Sequence, residues 1–151
     1  MITINEFKSK VRDGSRIIGI DLGSKRIGIA ISDSNLKIAT PYKTLEKIKF
    51  SKLIDDIKSI IKENDVKGII VGNPINMDGS YGKSSQSAKD TAINLSEKIN
   101  IPVCLWDERL STVGAFNMSS ELDINVSKRV KDIDKFAAAF ILQGALDYLQ
   151  N

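Results

Sequence analysis

The spacing of hydrophobic positions changes along the chain, and these changes predict the order of strands and helices. Dense β-branched or apolar runs predict strands over 16–21, 26–32, 36–42, 67–72 and 102–106. Apolar residues spaced by three or four positions predict helices over 50–61, 84–99, about 111–122 and about 131–149. The pattern over 1–13 predicts a short N-terminal helix or arm that ends at a turn over 13–15.

This order of elements predicts an α/β fold class with one mixed sheet. The first three strands form an antiparallel meander, and the last two alternate with helices, which favours parallel pairing. The sequence has 151 residues, enough for one domain with a hydrophobic core. We expect an N-terminal extension over 1–15 and a single domain over 16–151.

Composition excludes several kinds of chemistry. The chain has one cysteine and no histidine, which excludes an internal disulfide, His-based zinc sites and Ser-His-Asp catalysis. The net charge of +3 is compatible with a nucleic-acid partner without requiring one. No apolar run approaches the roughly 18 residues of a membrane span, and the N-terminus lacks the layout of a secretory signal. We therefore expect a cytoplasmic protein without a membrane contact.

Three acidic residues occupy positions where a carboxylate is costly. Asp21 ends one apolar strand, and Glu108 follows another together with Asp107. Asp134 is expected in the first turn of the last helix, with Ala137 and later apolar residues at spacings that put it on the packed face. Carboxylates that share a pocket repel one another unless a cation is present, and an oxygen-only site favours Mg²⁺ or Mn²⁺. The pattern predicts a metal-dependent phosphodiesterase site.

Each of these acids also has a purely structural interpretation. Asp134 could be favoured by the helix dipole, because acids stabilise helix N-termini. Asp21 could be a turn residue that caps the following glycine, and Glu108 could simply start a helix. Spacing alone does not decide between these interpretations and a catalytic site.

Four segments, in this order and at this spacing, resemble the YqgF family, also called RuvX. They are GIDLGSKRIGIA over 19–30, NPINMDG over 73–79, DERLST over 107–112 and IDKFAAAFILQ over 133–143. The resemblance covers about 16–149. Members of this family are bacterial proteins regarded as pre-16S rRNA nucleases and earlier proposed as Holliday junction resolvases.

The resemblance implies a ribonuclease-H-like fold with a mixed five-stranded sheet flanked by helices. It implies a divalent metal, Mg²⁺ or Mn²⁺, and catalytic acids that fall on Asp21, Glu108 and Asp134. It also implies cleavage at the 5′ end of the 16S rRNA precursor, with the ribosomal small subunit as a possible partner. Three other functions stay open: a resolvase acting on branched DNA, a non-catalytic RNA-binding module, and an actin-like ATPase, for which one lobe of this length is too short.

Four residues are candidates for contacts with nucleic acid. Lys25 and Arg26 flank the first hairpin and could bind backbone phosphate or simply be solvated. Asn76 lies in a segment with the composition of a surface loop that could clamp a substrate. Arg109 could hold a phosphate through two hydrogen bonds or pair with a nearby acid.

Asn73 departs from the family pattern, in which leucine or a similar residue commonly precedes the proline.

Overall fold

Five strands form one mixed sheet, as the hydrophobic pattern predicts. The computed structural model of the chain describes residues 1–11, 14–23, 25–47, 49–74, 82–110 and 126–150, with the backbone alone over 126–135. The strands are β1 (Arg16–Leu22), β2 (Arg26–Ser32), β3 (Ala39–Glu46), β4 (Val66–Asn73) and β5 (Val103–Asp107). Their spatial order is β3-β2-β1-β4-β5. Strands β1, β2 and β3 pair antiparallel, and β4 and β5 continue the sheet in parallel beside β1.

Helices cover both faces of this sheet, which makes the sheet the middle of three layers. In the described residues they are α1 (Ile4–Lys10), α2 (Phe50–Asn64), α3 (Lys83–Lys98) and α4 (Val126–Gln150), and a 3-10 turn spans Glu108–Leu110. One hydrophobic cluster joins the sheet to α1 and α4, and a second joins the opposite face to α2 and α3. The helix predicted over about 111–122 lies outside the described residues.

Helix α2 shows how the sequence pattern produces these layers. Ile54, Ile57 and Ile60 are buried against the sheet, because residues three or four apart share one side of a helix. The helix ends at Asp65, whose left-handed backbone and N–H bond to the Ile61 carbonyl close the last turn before β4 begins.

The third strand was predicted at the wrong position. It was expected over 36–42 but spans Ala39–Glu46, because the preceding segment is a turn. Leu36 has φ of 58°, and the Asp33 carboxylate accepts hydrogen bonds from the backbone N–H of Lys37 and Ile38. Pro41 is tolerated inside β3, because β3 is an edge strand and its pairing with β2 is irregular at that point.

The start of the last helix was also predicted wrongly. It was expected near 131, but α4 begins at Val126. Asp134 therefore lies in the third turn of α4 and not in its first. This position removes the interpretation of Asp134 as an N-terminal helix acid, because the helix dipole acts within the first turn.

The N-terminal segment packs onto the sheet. Ile2 forms a parallel bridge with Cys104 of β5, and the fully buried ring of Phe7 lies against the bare backbone of Gly68 in β4. The Tyr148 hydroxyl of α4 donates to the side chain of Asn5. Within the described residues, no helix has the length and apolar character that crossing a membrane requires.

Candidate active site

Asp21 lies at the carboxyl end of β1, on the face of the sheet that packs against α4. Ile17 belongs to the hydrophobic cluster under α4, and a Cβ built on Gly19 would lie 2.8 Å from Cβ of Leu142 in α4. Side chains alternate along a strand, so Asp21, two residues after Gly19, faces the same way. Its register partner in β2 is Gly28.

Glu108 approaches this face from the carboxyl end of β5. It begins the 3-10 turn that follows the strand, and its carboxylate lies over the backbone of Gly72 in β4. A Cβ at position 72 would lie 3.1 Å from Oε2 of Glu108 and 2.6 Å from Cδ1 of Ile141 in α4. Glycine at this position thus makes room for the carboxylate between the sheet and the helix.

Asp21 and Glu108 lie near each other, because Ile20 pairs with Val71 in the sheet and Asp21 is therefore beside Gly72, under the Glu108 carboxylate. Burial, together with the negative charges of Asp21 and Asp107, raises the pKa of Glu108 to about 7. Strands β1 and β5 are not neighbours, because β4 lies between them. The fold therefore brings together two carboxylates that are 87 positions apart in the sequence.

The third predicted acid, Asp134, lies in α4 one turn before Ala138. The carbonyl oxygen of Ala138 lies 3.2 Å from the Cβ that Gly19 would carry. At the C-terminal end of α4, Nε2 of Gln150 donates a hydrogen bond to the carbonyl of Leu36, which precedes β3. Helix α4 thus runs antiparallel to β1, and its earlier turns lie toward the end of the strand that carries Asp21.

No three acidic, cysteine or histidine side chains within the described set stand close enough to hold a metal ion. The side chain of Asp134 lies outside that set, so the predicted triad stays a prediction. The pair formed by Asp21 and Glu108 is what the described side chains bring together.

Arg109, one of the residues predicted to contact nucleic acid, forms a salt bridge with Asp107. Its Nη2 lies 2.7 Å from Oδ2 of Asp107, and its Nε donates to both carboxylate oxygens. These hydrogen bonds lower the pKa of Asp107. Trp106 belongs to the cluster under α4, and neighbouring residues of a strand point to opposite faces of the sheet. Asp107 therefore faces α3.

Arg26 and Lys25 lie beside the turn between β1 and β2, next to Asp21. Arg26 shares the strand parity of Gly28, the register partner of Asp21, and therefore lies on the face of the carboxylates. Lys25 is exposed, and its carbonyl accepts a hydrogen bond from the backbone N–H of Lys47. Asn76 lies outside the described residues.

Sequence reasoning missed the structural role of Gly19 and Gly72. Both allow α4 to approach the sheet more closely than any side chain would permit, and Gly72 also accommodates Glu108. The available signal was a glycine inside an apolar strand pattern, which often marks a close approach by another group.

The sheet order and helical layers are those of the ribonuclease-H-like class of α/β domains. The structure resembles T. thermophilus RuvC in complex with Holliday junction substrate, with a TM-score of 0.55 and 10% sequence identity. The match covers 89% of this chain and 96% of that one, and it confirms the predicted fold.

The chain belongs to the RuvX family, whose model, described as Holliday junction resolvase, matches residues 15–148. It is 64% identical over all 151 residues to a candidate pre-16S rRNA nuclease of Pelagibacter ubique (strain HTCC1062), and the match covers 100% of both chains. Over 79 residues it is 52% identical to the protein of the same name from Rhizobium meliloti (strain 1021), covering 52% of this chain and 48% of that one. These comparisons confirm the predicted class, a nuclease that hydrolyses phosphodiester bonds.

Proposed function

We propose that this chain is a divalent-metal-dependent endonuclease that processes the 5′ end of pre-16S rRNA in the cytoplasm. The observation that carries the proposal is the pair of carboxylates, Asp21 and Glu108, which enters one partly buried site from two strands that are not adjacent. The names of the relatives support the choice of RNA, since the full-length relative is a candidate pre-16S rRNA nuclease.

The donor set fits a hard divalent cation. Carboxylate oxygens are the ligands that Mg²⁺ and Mn²⁺ prefer. Burial and the neighbouring negative charges raise the pKa of Glu108, and a bound cation would stabilise its ionised form against both. Asp21, Glu108 and Asp134 would hold the ion. When bound, such an ion activates a water and neutralises charge on the phosphate under attack.

Helix geometry supports Asp134 as the third ligand. Four residues of helix rise about 6 Å, and two residues of strand advance about 6.6 Å. The turn of α4 that carries Asp134 is therefore displaced from Ala138 by nearly the distance that separates Asp21 from Gly19. Because α4 and β1 run antiparallel, both displacements lead toward the same edge of the sheet.

The substrate backbone would cross this edge beside the first hairpin. Arg26 lies on the face of the carboxylates, and Lys25 is exposed at the turn, so both can bind phosphates that flank the scissile bond. Asn76, three residues after the end of β4 in the sequence, would add a further contact. Arg109 follows β5, where Asp107 orients its guanidinium, and its positive charge would attract a phosphate there.

The test is cleavage of a labelled pre-16S rRNA fragment, free and within small-subunit precursor particles, in Mg²⁺, Mn²⁺ or EDTA. Wild type is compared with Asp21→Asn and with Asp55→Asn, which changes an exposed acid on α2. We expect metal-dependent cleavage that Asp21→Asn abolishes and Asp55→Asn leaves intact. Folded wild-type protein that cleaves neither substrate would contradict the proposal.

A second candidate substrate is a four-way DNA junction, because the family model is described as a Holliday junction resolvase. The same assay therefore includes a labelled junction. Cleavage of the junction at a higher kcat/KM than the precursor RNA would replace RNA by branched DNA as the substrate, with the same carboxylates at the site.

A further inference from the structure

A polar cavity lies on the other side of the strand ends from the paired carboxylates. It has a volume of about 380 Å³ and opens between the ends of β4 and β5 and the first turns of α3. The described residues that line it are Asn73, Ser85, Gln86, Lys89 and Leu105. Asp21, Glu108 and the described residues of the first hairpin are not among them.

One strand joins this cavity to the active site. Gly72 lies under the carboxylate of Glu108, and Asn73, the next residue of β4, points to the opposite face. The Cα atoms of neighbouring residues are about 3.8 Å apart, so the Glu108 carboxylate and the cavity lie at the same end of β4, on opposite faces of the sheet.

The polar groups of the cavity are oriented in advance. The hydroxyl of Ser85, which is only 3% exposed, donates to Oδ1 of Asn73 at 2.6 Å. This bond leaves the amide nitrogen of Asn73 as the donor for a ligand. Nε2 of Gln86 donates to Asp90 at 2.9 Å, which leaves the Gln86 carbonyl oxygen as an acceptor.

The remaining lining residues add one charge and one apolar surface. Lys89 is exposed, and within the described part of the chain no salt bridge ties it to an acid. Leu105, half-buried at the end of β5, supplies an apolar wall. Among the described lining residues there is no carboxylate, the ligand that a bare divalent cation prefers.

We propose that this cavity binds the unstacked base of a nucleotide next to the scissile phosphodiester. The side-chain amides of Asn73 and Gln86 can form hydrogen bonds with the edge of a base, and the positive charge of Lys89 can attract the attached phosphate. The volume falls in the range of small-ligand pockets, about 300–1,000 Å³. The inference rests on the proposed nuclease function for the position of the nucleotide, whereas binding of the base can be measured without cleavage.

The test measures binding of short single-stranded RNAs to the protein in EDTA, with one abasic nucleotide placed at each position in turn. For wild type, we expect one position at which loss of the base weakens binding about tenfold, the scale of one well-made base contact. For Asn73→Leu, intact RNA should bind about tenfold more weakly, with no further loss at that abasic position. Gln86→Leu, a change at an exposed residue, gives the same expectation should Asn73→Leu fail to fold.

The matched control is Lys98→Ala, an exposed lysine at the far end of α3, which should retain the positional effect. An abasic effect that is equal in wild type and in both pocket variants would overturn the proposal. So would equal binding of fully abasic and intact strands, which would indicate recognition of phosphate alone. Because EDTA prevents cleavage, failure of the base pocket and failure of the nuclease proposal are separate results.

Discussion

A glycine near each end of β4 lets another group approach the backbone closely, and the consequences differ between the two ends. At the start of the strand, Gly68 lies under the ring of Phe7, whose Cζ would be 2.6 Å from a Cβ at that position. Four residues later, on the same face, Gly72 lies under the carboxylate of Glu108. The first close approach buries an aromatic ring and stabilises the fold. The second buries part of a charge that is repelled by Asp21, which costs stability and creates the site.

The largest expected effect is on catalysis at the Gly72 end. Glu108→Gln, like Asp21→Asn and Asp134→Asn, should lower kcat/KM for the cleaved substrate by about 10²–10⁴-fold while the protein stays folded, because a neutral amide is a poor ligand for the cation. The measurement is single-turnover cleavage, with Glu97→Gln, an exposed acid on α3, as control. Near wild-type cleavage by any of the three variants would remove that residue from the site.

Asp107→Asn should have a milder effect than Glu108→Gln, about tenfold or less in kcat/KM. Asp107 faces α3. It affects the site through the repulsion between its charge and Glu108 and through its salt bridge with Arg109. The same cleavage assay compares the two variants side by side. A loss as large as that of Glu108→Gln would mean that Asp107 binds the metal or the substrate directly.

At the Gly68 end, the expected effect is on stability. Phe7 is fully buried, so Phe7→Ala should lower the free energy of unfolding by about 3–5 kcal/mol. Cleavage per folded molecule should be unchanged, because Phe7 lies at the other end of β4. Urea unfolding followed by circular dichroism measures the change, with the exposed Ile38→Ala as control. A loss below about 1 kcal/mol would show that the N-terminal helix is not part of the cooperative core.

The two glycines allow a direct comparison by the same substitution. Gly68→Ala should destabilise the protein by about 1–3 kcal/mol, since the methyl group meets a ring that cannot bend away. Gly72→Ala meets the flexible end of Ile141 and the Glu108 carboxylate, so it should cost less stability and displace the carboxylate. A displacement of about 1 Å can cost about 10²-fold in rate. Unfolding and cleavage of both variants test this, and equal rates would show that Gly72 is only a packing position.

The smallest expected effect is the dependence of stability on pH. Between the ordinary glutamate pKa of 4.5 and the raised value of about 7, the folded chain binds more protons at Glu108 than the unfolded chain does. The contribution of Glu108 to stability therefore falls as pH rises through this interval. After allowance for partial exposure, the change is about 1–2 kcal/mol in EDTA.

Urea unfolding at pH 5 and pH 8 measures this change for wild type and Glu108→Gln. The variant should lack this contribution to the pH dependence and be more stable than wild type at pH 8. Added Mg²⁺ should restore stability to wild type at pH 8 and not to the variant. The same slope in both proteins would show that Glu108 is not the titrating group.

Local patterns were sufficient for most of the fold and for the positions of Asp21 and Glu108 at the ends of strands. The strands near Asp21 and Glu108 and the buried face of α2 follow from periodicity, which depends on residues a few positions apart. The error at the start of β3 arose where another interaction competed with the pattern. Asp33 binds the backbone N–H groups of Lys37 and Ile38, so a turn replaced the expected start of β3. The other error concerns α4, which begins at Val126, five residues before the predicted start.

By itself, the sequence determined the order of elements, the class of chemistry and the acids that end apolar strands. Only the tertiary structure decided that Glu108 lies over Gly72 near Asp21, that Arg109 pairs with Asp107, and that Asn73 and α3 enclose a cavity. The physical reason is that secondary structure depends on neighbours along the chain. Each of these contacts, in contrast, depends on strand register, on side-chain parity or on how closely a helix can approach a glycine, and these are settled only when distant segments pack together.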